Sequence, residues 1–132
     1  MINIENDLFD ELTERLTGEY SNINVVGEEL NAPAEFPTVS FVETDNAIPT
    51  RYIDSTDEPF NEVTYTINIY TNSQGTKKSE AKKILTLIDS FMLSKGFIRN
   101  MKQPISMNNS TIYRLVSRYS GVVSNDKKIY GR

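Results

Sequence analysis

The chain has 132 residues, no cysteine, no histidine and a net charge of −4. That length suits one domain built around a single hydrophobic core and is too short for two. Without cysteine there is no disulfide framework or thiolate metal site, and without histidine the commonest general base near neutral pH and the commonest zinc ligand are gone.

No run of about 18 apolar residues occurs, so no segment is expected to span a membrane. The acidic start, Met1 to Asp7, lacks the basic-then-apolar layout of a signal peptide, and the expectation is an intracellular protein. Charge is unevenly distributed. Residues 1–60 carry 14 acidic and two basic side chains, whereas residues 61–132 carry four acidic and 12 basic. Three readings fit that split. The faces can simply be solvated. They can steer the acidic part of one copy onto the basic part of another. Nucleic-acid binding fits less well, because the basic residues are spread over a helix, a strand and the C-terminus and form no dense stripe.

The first predicted element is an amphipathic helix from Ile4 to Leu16, with Ile4, Leu8, Phe9, Leu12 and Leu16 at helical spacing and Gly18 as its stop. Asp7, Asp10 and Glu11 near its start favour the helix dipole. A short strand is expected over Asn22 to Val26, then a proline-bearing loop from Glu28 to Pro37, then a strand over Thr38 to Glu43. Residues 44–59 are polar and interrupted by Pro49 and Pro59, so they read as a long loop or arm reaching outward.

Phe60 to Thr71 is the clearest strand. Val63, Tyr65, Ile67 and Ile69 alternate with Thr64, Thr66, Asn68 and Tyr70, which puts one face on a core and the other towards water or a partner. After a turn at 72–75, a second helix is predicted from Thr76 to Lys95. Its stripe is Ala81, Ile84, Leu85, Ile88, Phe91 and Met92, and Gly96 is its stop. Lys77, Lys78, Lys82 and Lys83 sit early on the polar side, where positive charge opposes the dipole. Phe97 to Met101 reads as a strand, followed by Pro104 and a second apolar piece at Ile105 and Met107. A turn at 108–110 leads into a last strand, Thr111 to Val123, with Arg114 and Arg118 on the face opposite Leu115 and Tyr119. The tail, residues 124–132, is expected to be loosely held.

The predicted fold is α+β: a mainly antiparallel sheet of four to five strands with two helices packed on one face, the whole of 1–132 forming one domain. Chemistry is hard to place on it. The glycines are isolated, so no phosphate loop is present, and the acidic stretch 54–58 lacks the central glycine and terminal glutamate of a calcium loop. The acids read as surface helix or loop apart from Glu43 and Glu62 at strand ends. No nucleophile has a base beside it. The expectation is a protein with no catalytic residue, cofactor or metal. Its rivals are a standalone ligand-binding domain using the open sheet face and a small carboxylate-dependent enzyme.

Several features in order resemble the phage tail terminator, or tail-completion, proteins of long-tailed phages and prophage tail-like particles. They are the acidic N-terminal helix, Phe36 to Glu43 entering a strand, and the polar loop leading into Glu62 to Thr71. The helix Ala81 to Met92 then ends in Gly96-Phe97-Ile98-Arg99, and the last strand carries Tyr113-Arg114 and Arg118 to Val123. The likeness covers roughly residues 4–124 and is one of order and spacing. It implies a structural virion protein, made in the host cytoplasm and located at the tail neck. Such a protein forms a ring, usually a hexamer, that caps the tail tube, ends its polymerisation and offers the head–tail joining surface. The implied partners are other copies of the chain, the tail tube protein, the head–tail connector protein and, in a contractile tail, the sheath protein. DNA would pass through without specific binding. A head-closure, connector or minor capsid protein is the nearest alternative. For contacts between copies the sequence singles out Arg51, Tyr52 and Asp54 in the long loop, and Lys78 and Lys82 on the second helix.

Overall fold

The computed structural model describes residues 4–28, 30, 33–47, 60–107, 109, 111–124 and 128–130. The elements are helix α1 (Glu5–Glu19), strands β1 (Asn24–Val26), β2 (Thr38–Ala47) and β3 (Phe60–Thr71), helix α2 (Lys77–Ser94), and strands β4 (Ile98–Ile105), β5 (Tyr113–Ser124) and β6 (Ile129–Tyr130). The fold is α+β, with a mostly antiparallel sheet in the order β1-β2-β3-β5-β4; β6 pairs with the far end of β5. β5 runs antiparallel to both β3 and β4, so α2 crosses over it to join two strands that are parallel to each other.

Both helices pack on one face of this sheet. Leu8, Leu12 and Leu16 of α1 and Ala81, Ile84, Leu85, Ile88, Phe91 and Met92 of α2 are buried against Phe41, Val63, Tyr65, Ile67, Ile69, Leu115 and Tyr119. The helical stripes and the two-residue alternation of β3 therefore meet in one core, as their periods require. A row of rings crosses it. Phe9 tilts against Phe41 at 6.2 Å, Phe41 stacks on Tyr65 at 4.9 Å, and Tyr65 meets the edge of Phe97 at 5.6 Å.

Gly96 ends α2 in the way its position suggests. Its φ is +106°, the Gly96 amide donates to the Leu93 carbonyl, and the Phe97 amide donates to Met92 at 3.1 Å. This is a Schellman closure, in which the residue after the glycine turns inward. Gly18 does not end α1, which continues through it to Glu19.

Four other expectations need correction. β2 does not stop at Glu43 but runs to Ala47, so the expected loop at 44–59 begins as strand and its remainder, 48–59, lies outside the described residues. A bulge between Glu43 and Asp45 absorbs the extra residue, and Asp45, Asn46 and Ala47 pair with Thr64, Val63 and Glu62. β4 is one strand running through Pro104, which pairs with Leu115. Proline is tolerated there because β4 lies at the sheet edge. The tail is not wholly loose, since Ile129 and Tyr130 pair with Val123 and Val122.

The outer sheet face is also not left open as expected. β1 pairs with β2 in parallel, and a parallel neighbour must be reached by crossing a face of the sheet. Glu28 and Leu30, between the two strands, lie on the side away from the helices. The Ser40 hydroxyl donates to the Glu28 carbonyl at 2.8 Å and the Tyr70 hydroxyl to the Leu30 carbonyl at 2.9 Å. Thr38, Ser40, Asn68 and Tyr70 are consequently buried, although alternation alone places them in water.

Candidate assembly surfaces

The sheet order turns the charge split of the sequence into a split across the molecule. α1 carries Glu5, Asp7, Asp10, Glu11, Glu14 and Glu19 against the single cation Arg15, and it packs on the β2 side, where Phe9 meets Phe41. Lys78 and Lys82 of α2, Arg99 and Lys102 of β4, and Arg118 of β5 belong to the other side of the sheet and are exposed. The two helices run antiparallel, with Lys95 paired to Glu11 and the Arg15 guanidinium 6.0 Å from the centre of the Phe91 ring.

Between the helices lies an open groove of about 590 Å³, floored by Leu87 and Phe91 and rimmed by Glu11, Glu14, Arg15 and Glu19. Phe91 is buried, and the Lys95 ammonium lies 5.6 Å from its ring centre, so cations already flank this aromatic surface. Lys78 and Lys82 lie on the opposite flank of α2. They stand at helical spacing from Asp89, which accepts a hydrogen bond from the Tyr119 hydroxyl at 2.9 Å and an ion pair from Arg99 at 3.1 Å. That flank therefore faces β4, whereas Leu87 and Phe91 face α1. Among the described residues Lys78, Lys82 and Lys83 have no ion pair. Leu93, 49% exposed, adds an apolar side chain four residues beyond Asp89.

Of the contact residues expected from sequence, Lys78 and Lys82 are exposed on one turn of α2. Arg51, Tyr52 and Asp54 lie outside the described residues. No pattern in the sequence marks the groove. Phe91 and Leu87 were legible as helix residues, but only the pairing of α1 with α2 reveals that they floor a cleft.

The outer face holds a second polar surface. The Thr44 and Thr66 hydroxyls are 3.1 Å apart, and the Arg118 Nε donates to Thr66 at 3.3 Å. Arg114, which the sequence also placed on this face, donates from Nε to Asn68 at 2.8 Å and lies 5.6 Å from the centre of the Tyr70 ring. Arg114 thereby fastens the covered end of the face, while Arg118 and Thr44 are exposed.

Two half-buried carboxylates are engaged by core tyrosines that stand opposite each other in β3 and β5. The Tyr65 hydroxyl donates to Glu43 at 3.1 Å and the Tyr119 hydroxyl to Asp89. Burial, with the carboxylate beside each, pushes both phenol pKa values well above their ordinary range. Burial also raises the Glu43 pKa; the Tyr65 hydrogen bond opposes this, and repulsion from Glu5 adds to it. A raised folded-state pKa means that Glu43 favours folding below its unfolded value, and that this contribution is lost as pH rises through the folded value. Glu43→Gln retains an acceptor for Tyr65 and removes the repulsion. It is expected to raise the thermal midpoint at neutral pH and to leave it unchanged near pH 4, as thermal unfolding across pH would show.

Among the described residues no group of three or more His, Cys, Asp or Glu is arranged to hold a metal ion, and no helix is long and apolar enough to cross a membrane. In comparisons with known proteins, no family model matches the chain and no curated protein is significantly similar to it.

Proposed function

We propose that this chain is a structural subunit that joins head to tail with other copies into a ring, and that the ring caps the tail tube of a long-tailed phage or prophage tail-like particle. The observation that carries the self-assembly is the charge polarity of the helix layer: acidic α1 on one side, and the lysine-bearing flank of α2 with β4 on the other. The two surfaces are complementary in sign, and the Lys78–Lys82 flank of α2 is turned away from α1, so this flank can meet an acidic first helix only on another copy. A contact between two different patches is heterologous and makes a closed ring when its rotation closes. Placement of that ring on a tail tube rests on the resemblance in element order and spacing, from the acidic first helix to the Arg118-to-Val123 strand. The role is non-catalytic in this reading, with the tube protein below the ring and the connector above it.

Native mass spectrometry, of the protein alone and mixed with assembled tail tubes, tests the proposal. The expected result is one discrete ring-sized species, or capture at a single end of the tubes. A strict monomer with no affinity for tubes would overturn it and favour a standalone binding domain. Rings that bind an isolated connector and ignore tubes would move the assignment to a head-closure component.

A further inference from the structure

We infer that the groove between α1 and α2 receives the Lys78–Lys82 flank of α2 from a second copy of this chain. The inference rests on the self-assembly reading above and adds the contact by which it occurs.

The groove has what a cationic occupant needs. Its floor is apolar and aromatic, Leu87 and Phe91, and carboxylates of Glu14 and Glu19 stand on its rim. Neither of these two acids is in an ion pair among the described residues, whereas Glu11 is held by Lys95. A lysine lays its aliphatic stem on an apolar floor and carries its ammonium to a carboxylate at the edge. The Phe91 ring already accommodates Arg15 and Lys95 at the margins of the groove.

The same chain offers a matching occupant. Lys78 and Lys82 are one helical turn apart, are exposed, and project from the flank of α2 directed away from the groove. Their own groove is therefore out of their reach, and a neighbour's is not. Arg99 and Lys102 on β4 extend the positive flank along the sheet edge. That edge is a poor site for strand addition, because β4 carries a bulge between Arg99 and Met101, an exposed lysine and Pro104, all of which blunt an edge. Helix-to-groove docking, not sheet extension, is the mode these surfaces fit.

Charge exchange tests the contact directly. K78E/K82E leaves an acidic groove and an acidic flank, and E14K/E19K makes both basic. Each variant alone is expected to lose the assembly seen for the unmodified chain, with self-association weakened at least tenfold. An equimolar mixture should recover it, since each groove then meets a flank of opposite sign. The fourfold variant carrying both changes should recover it alone. All the substituted side chains are exposed, and far-UV circular dichroism confirms that each variant is folded. The inference is overturned if either variant assembles like the unmodified chain, or if the mixture and the fourfold variant both stay monomeric while the unmodified chain assembles. Assembly that obeys charge exchange without tube capture would keep this contact and remove the tail-cap reading. An unmodified chain that assembles neither alone nor on tubes would remove both.

Discussion

Replacing Phe97 with alanine is expected to lower the stability of the folded chain by about 3–5 kcal/mol, the usual range for removing a buried phenylalanine. The residue lies immediately after the glycine closure of α2 and is 2% exposed. It meets Tyr65 edge-on at 5.6 Å, at an interplanar angle of 85°, and so ends the row of rings that begins at Phe9. It also covers Gly121 so closely that a Cβ added there would stand 3.0 Å from the ring. Alanine would leave a void bounded by α2, β3 and β5. Folded domains have about 5–15 kcal/mol in total, so a loss of this size is a large share of the margin. Urea unfolding monitored by tyrosine fluorescence measures it. Phe97→Leu keeps most of the burial and loses the ring pair, and is expected to cost about 1 kcal/mol. An alanine variant within 1 kcal/mol of the unmodified chain would mean that Phe97 is not a core residue.

The residues that made this core legible are those whose period matches their element. β3 alternates throughout, and its ends were readable as Phe60 and Thr71. The α2 stripe was readable for the same reason, and its six apolar residues are all buried. Expectations failed where a neighbour decides the outcome. Thr44 to Ala47 have polar loop chemistry, yet pairing with β3 extends β2 through them. Tyr70 and Asn68 sit on the face that alternation assigns to water, and only the parallel pairing of β1 sends a chain segment across them. Pro104 signals a break in a central strand but not at an edge. The candidate surfaces divide in the same way. Lys78 and Lys82 were visible as an unusual charge at a helix start, because dipole physics makes them conspicuous. The groove is defined by side chains far apart in sequence, Glu14 and Phe91 among them, and no local pattern links them.

The two helix-associated glycines carry the second large prediction, because the same residue type has opposite consequences at the two sites. Gly96→Ala is expected to destabilise the protein by about 1–3 kcal/mol through backbone strain alone, since its φ of +106° is one that L side chains rarely adopt. A steric term adds to this. The new Cβ would lie 2.5 Å from the Ile129 carbonyl oxygen of β6, so either the helix closure or β6 must move. Gly18→Ala should act in the other direction. That glycine is helical, an added Cβ there meets no atom within 4 Å, and alanine holds a helix better by up to about 1 kcal/mol. Thermal unfolding of the two variants beside the unmodified chain gives both signs in one experiment. Removing residues 126–132 separates the two terms at Gly96, because it deletes the carbonyl that the methyl meets and leaves the φ unchanged. In that shortened chain Gly96→Ala should cost less than in the full chain. An equal cost in both would show that β6 does not press on the closure and that the left-handed φ accounts for the whole effect.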